Sequence, residues 1–180
     1  MSILRNAVLV PLMALLVTVL SPGTSWSQGS GKPIQIALLN PVQVFPEHTS
    51  VLGLRLNILY GVNRDMTGLD LGAVNRTTGS VKGLQYGLVG LCEGGFEGWQ
   101  DNFINITNRK FTGLQAGFVN QVGDGVGLQW GFVNLSTSFQ GLQFGAFNMT
   151  ERMKGLQIGI INVIKRKTPL PVLPIVNWSF

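Results

Sequence analysis

Between Gly127 and Asn162 the chain reads GLQWGFVN, LSTSFQ, GLQFGAFN, MTERMK, GLQIGIIN, so that one octet, Gly-Leu-Gln-x-Gly-apolar-apolar-Asn, recurs every 14 residues. Fixed self-similarity of this kind restricts the fold to architectures made of one repeated unit. Extending the register in both directions gives octet starts at Pro33, Gly53, Gly68, Gly83, Gly98, Gly113, Gly127, Gly141, Gly155 and, degenerately, Leu170. That makes ten copies spaced by 14 or 15 residues, apart from one interruption at residues 41–52.

Each copy alternates with a period of two, the strand signal. Along 139–149, Gln140, Leu142, Phe144, Ala146 and Asn148 share one parity; Phe139, Gly141, Gln143, Gly145, Phe147 and Met149 share the other. Two glycines per octet and the lack of a 3.6-residue period exclude helix. The repeat Asn is expected to open a turn, because its side chain bonds its own backbone and tolerates positive φ. The fold class is therefore all-β, with strands of about 9–11 residues joined by turns of about 4–6.

Residues 1–27 differ from the rest. Arg5 precedes Ala7–Leu20, almost wholly apolar, and Ser21-Pro22-Gly23-Thr24 then breaks any helix before the small residues of Ser25-Trp26-Ser27. This pattern predicts a secretory signal peptide at 1–27, a spacer at 28–32 and a ten-repeat β domain at 33–180. The domain would carry a formal charge of 12 − 8 = +4 after loss of Arg5. Charged residues make up 12% of the chain, about half the usual share. Part of this surface is therefore expected to face something other than water.

Two architectures suit the repeat. The leading expectation is a ten-stranded antiparallel meander closed into a small barrel; the alternative is a parallel β-solenoid of 14–15-residue coils with Gln and Asn ladders and a Leu/Phe core. Antiparallel pairing would set Gln143-type residues against Gly159-type residues and so fill a narrow lumen. The strand count is even, and the chain ends on Trp178 and Phe180. Alternate connections also differ in charge, 7 − 1 = +6 for one set and 3 − 5 = −2 for the other, as the two ends of a barrel could. Against the barrel stand Asp101 on the apolar stripe, Pro171 and Pro174 in a last strand that must pair on both sides, and terminal aromatics of the Gln-face parity.

At the octet the chain resembles exported bacterial surface-repeat proteins built from tandem GLQxGxxN units, from about Pro33 to the ending LPVLPIVNWSF. The resemblance implies an outer-membrane or surface location and no assigned activity. The leading expectation is an exported Gram-negative-type β protein with a structural or surface role, and the alternative is a soluble β-solenoid interaction module that binds a surface partner. Departures from it are Arg55 and Asn57 in the second copy, Asp70 in the third, Gly90 for Asn in the fourth, and the whole fifth copy GWQDNFIN.

Few residues suggest chemistry. Arg55 and Asp70 are the charges at the Gln position and are expected to form an ion pair lining the interior. Arg109-Lys110 and Lys165-Arg166-Lys167 are basic clusters which, in a barrel, share one end and could meet anionic lipid or lipopolysaccharide. His48 stands beside Glu47 in the longest loop without further metal-type ligands, and Cys92 has no second cysteine to pair with. The scattered turn carboxylates and the absence of a nucleophile–base arrangement predict a non-enzyme without cofactor or metal, and nothing in the chain suggests nucleic acid. A protein partner is not specified.

Overall fold

The computed structural model describes residues 31–180, so the expected signal peptide and most of the spacer lie outside the described residues. Those residues are all-β, with no helix among them. The elements are β1 (Lys32–Leu39), β2 (Val42–Gln43), β3 (Val51–Asn63), β4 (Met66–Thr77), β5 (Val81–Cys92), β6 (Phe96–Phe144), β7 (Phe147–Ile164) and β8 (Val172–Ser179). They form one sheet in the order β2-β1-β3-β4-β5-β6-β7-β8.

The pairing is parallel from β1 through β7, and each residue faces its own equivalent one repeat later. Gly53 pairs with Gly68, Arg55 with Asp70, Gln85 with Gln100 and Asn134 with Asn148. The described residues therefore form a β-solenoid of nine stacked coils, and the expected antiparallel barrel is corrected. Gln143 lies beside Gln157, where a barrel needs Gly159. The physical reason is satisfaction of buried amides. In a stack every Gln meets another Gln, whereas beside glycine each would lose its partner in a space that water does not reach.

The turns do not alternate between two ends either. Arg76 binds Glu93 at 2.6 Å and Arg166 approaches Glu151 at 3.8 Å, each pair joining connections that a barrel would put at opposite ends. The tenth copy is not a coil: β8 reverses and pairs antiparallel with β7, so that Pro171 and Pro174 fall on an edge where a missing donor costs nothing. At the other end the two-residue β2 lies antiparallel on β1.

Among the described residues positive φ occurs at the first glycine of the octet, from Gly53 (136°) to Gly155 (143°), and at Ile175 (66°), and not at the repeat Asn. The Asn holds the bend in another way. Asn148 donates from Nδ2 to Gly145 O three residues back, to Ile158 O in the next coil and to Asn162 Oδ1.

The interior has two compartments. One is apolar, built from the residue two places before each octet: Val51, Met66, Val81, Phe96, Phe111, Phe139 and Met153, joined by Cys92, Val122 and Ile164. In the seventh coil that place is Gly125, and a methyl there would enter the Phe139 ring. The other compartment is an amide core, with the Gln and Asn rows fully buried. The octet's own Leu and Phe do not form the core expected of a solenoid, because its second-, fourth- and sixth-position side chains point outward; the buried Phe96, Phe111 and Phe139 come from the residue two places before the octet.

Candidate functional surface

The Gln row is a directed hydrogen-bond chain. Gln157 donates to Gln143 (2.8 Å), Gln143 to Gln129 (2.6 Å), Gln129 to Gln115 (2.8 Å), Gln115 to Gln100 (2.8 Å) and Gln100 to Gln85 (2.9 Å). Every donor points toward the N-terminal end, so the chain has to finish on a group that accepts and need not donate. Gln85 finishes it by donating to Asp70 Oδ2 at 2.8 Å. A buried carboxylate in turn needs a cation, and Arg55 supplies a two-point contact, Nε to Oδ1 at 2.7 Å and Nη2 to Oδ2 at 2.6 Å. Arg55 also donates to Arg76 O and Thr77 Oγ1, both at 3.0 Å. Both side chains are fully buried in packed interior, with no lumen for them to line. Gln157 Oε1 at the opposite end accepts nothing, because the reversed β8 brings no further Gln.

The Asn row runs in the other direction. Asn105, Asn120, Asn134 and Asn148 each donate to the next Asn Oδ1 at 2.8–2.9 Å, so the two rows of amide dipoles offset each other. Its interruptions are repaired by the departures noted in the sequence. Gly90 leaves a space that Asn102, on the next coil, enters to bond Gln85 Oε1 and Asn105 Oδ1. Gly61 leaves a like space, filled by Asn57. Sequence reasoning missed these exchanges; the available signal was that an Asn replaces the octet's middle Gly wherever a Gly replaces a nearby terminal Asn.

The basic clusters expected to share one end lie on turns of the fifth and ninth coils. Arg109, Lys110, Lys165 and Arg166 are exposed; Lys167 donates to Asn177 Oδ1 at 2.8 Å and lies 4.6 Å from the Trp178 ring centre. With the carboxylates of intervening coils on the same turns, they form no single basic end. His48 is exposed, and its neighbour Glu47 accepts a hydrogen bond from Asn40 at 3.3 Å. No group of three or more metal-type ligands occurs among the described residues.

Cys92 is buried, and its Sγ donates to Gly95 O at 3.3 Å. Burial pushes its thiol up to about 11, against the opposing pull of the Gly94 and Val81 backbone. A raised pKa means that the neutral thiol is the form the fold favours; its contribution is complete below the ordinary value near 9 and is lost as the pH rises through about 11. Folded protein at pH 8 is therefore expected to resist alkylation by iodoacetamide and to take up one equivalent only on unfolding in urea, as read by mass spectrometry.

The outside of the octets is where this molecule differs most from an ordinary soluble domain. Of the outward fourth-position residues only Asp101 is charged. From the fifth coil onward the fourth and sixth positions rise as two ridges with a groove between them. The groove floor is Gly117, Gly131, Gly145 and Gly159. Ala116, Trp130, Phe144 and Ile158 form one wall, and Phe103, Phe118, Phe132, Ala146 and Ile160 the other; Ile175 closes the C-terminal end. The Phe103, Phe118 and Phe132 rings stack at 5.1 and 5.0 Å, almost parallel, and Trp130 meets Phe144 edge-on at 5.9 Å. Trp130 remains 62% exposed, Phe132 55% and Ile160 72%. Such a groove offers shape and apolar area, with no nucleophile or acid–base pair in it. Comparison with protein-family models, with curated proteins and with solved structures gives no match to this chain.

Proposed function

We propose that this chain is an exported, non-catalytic interaction module: a β-solenoid rod that presents the apolar outer face of its octets to a partner surface. One observation carries the reading. Within the octets the buried third and eighth positions are filled mainly by Gln and Asn, while large aromatic and aliphatic side chains of the second, fourth and sixth positions stand outside in register, coil after coil. A contiguous exposed apolar patch beyond a few hundred Å² marks an interaction site on a soluble protein. The rigidity needed to hold that face comes from the amide rows, which fix each coil on its neighbours. Lys167 reaches the C-terminal end of this face, over the Trp178 ring; Arg109, Lys110, Lys165 and Arg166 do not line the groove, so the aromatic ridge defines the contact.

Thiol labelling tests the reading. In a Cys92→Ser background, Phe132→Cys reports on the ridge and Thr137→Cys on the exposed turn of the same coil. In the exported fraction of producing cells, maleimide is expected to label position 132 at least about tenfold more slowly than 137, since a docked surface excludes the reagent and water together. Equal rates there would sink the docking reading.

A further inference from the structure

We propose that the occupant of the groove is a second copy of this chain, seated face to face with antiparallel axes about a twofold between the coils that start at Gly127 and Gly141. This rests on the docking reading above and names its partner. Growth along the rod is blocked at both ends: β8 reverses the pairing and carries Pro174, with Pro171 just before it, and at the other end the segment after β2 folds over β1, Val44 N donating to Ile36 O and Phe45 N to Gln35 Oε1. Association therefore has to be lateral.

Three features of the face select a second solenoid. The first is period. Ridges and groove repeat once per coil, at the strand spacing of about 4.8 Å. The twofold runs along the strand direction, so each ridge meets its own equivalent at the same period along the whole face, and an identical chain supplies that match, as in aligned sheet packing. The second is area. The five half-exposed aromatics on the ridges (Phe103, Phe118, Trp130, Phe132 and Phe144), at about 110 Å² each, with Ile160 and Ile175, offer roughly 800 Å². A standard interface buries about 800 Å² per partner.

The third is charge. Asp101 marks the N-terminal end of the ridged face, and Lys167, over Trp178, marks its C-terminal end. Antiparallel pairing brings each Asp101 to the Lys167 end of the other copy, whereas parallel pairing would place the two Asp101 carboxylates together at one end.

Sedimentation velocity on the protein, purified as producing cells accumulate it, tests this over about 0.1–100 µM, a range that brackets ordinary interface affinities. The expected result is a monomer–dimer equilibrium with dimer dominant in the upper part of that range. Phe118→Glu/Phe132→Glu is expected to weaken it at least about 100-fold. Both side chains point outward, so the circular dichroism and urea midpoint should not move; Ile160→Lys is the second variant should the first disturb the fold. Asp101→Lys should weaken pairing, and Asp101→Lys/Lys167→Asp should recover it. Monomer at every concentration, with Phe132→Cys still protected in the exported fraction, would overturn self-pairing and leave docking to another partner standing. A monomer that co-sediments with phosphatidylcholine vesicles in a Phe132-dependent way would make a bilayer the occupant, and a dimer indifferent to all three ridge variants would place the contact elsewhere. Monomer together with unprotected Phe132→Cys would remove both readings.

Discussion

Asp70→Ala is expected to destabilise the protein by about 3–5 kcal/mol, the cost of leaving a buried cation without its counter-ion. Arg55 would keep its bonds to Arg76 O and Thr77 Oγ1, but the guanidinium charge would stay in a space without water. Gln85 Nε2 would lose its acceptor in the same step, so the loss passes into the amide row. Arg55→Gln alone should cost a similar amount by stranding the carboxylate. The double variant Arg55→Gln/Asp70→Gln returns the octet consensus at both coils and lets the donor chain run on, so it should recover most of the loss. With Asp70→Gln as the matching single variant, urea midpoints of Asp70→Gln, Arg55→Gln and the double variant measure this as a coupling energy. Additive losses would mean that the pair and the amide row are independent, and the account of why charges sit at these two Gln positions would fail.

The period, the strand parity and the inward direction of the Gln row under the barrel expectation were all legible, because each depends on spacing alone. The direction of pairing was not. The octet is nearly symmetric about its fourth position, so Gln143 finds a plausible neighbour in Gly159 or in Gln157, and hydropathy does not distinguish them. What decides is three-dimensional: parallel stacking alone gives each buried amide a like partner. The usual rule that apolar side chains go inside was misleading for the solenoid, since its expected Leu/Phe core is the outer surface. Asp101, which weighed against a lipid-facing stripe, sits on that outer face at partial exposure and costs little there. The paired exchanges at Gly61 with Asn57 and at Gly90 with Asn102 read as irregularities in one dimension and as compensation in three.

Position in the stack also decides how damage spreads. In a solenoid each coil contacts its neighbours alone, so a local lesion can melt a terminal block and leave the rest folded. The first glycine of the octet is the most sensitive place for such a lesion. At Gly141 φ is 133°, a region that L side chains rarely adopt. A Cβ there would also overlap the carbonyl oxygen of Gly127, which is backbone of the coil below and has nowhere to go. Gly141→Ala should therefore cost roughly 4 kcal/mol or more, strain and steric overlap acting together. Gly95→Ala is the matched control, since the nearest atom to its Cβ, Lys110 O, would be 3.4 Å away; there the change should be within about 1 kcal/mol and can stabilise by restricting the unfolded chain. Hydrogen exchange is the measurement. In Gly141→Ala, amides of β7 and β8 should lose protection while those of β3–β5 keep it, because the Gln and Asn rows are cut between the seventh and eighth coils. Uniform loss along the whole rod would show the stack to be a single cooperative unit, and the directed amide rows would then have to carry coupling over its full length.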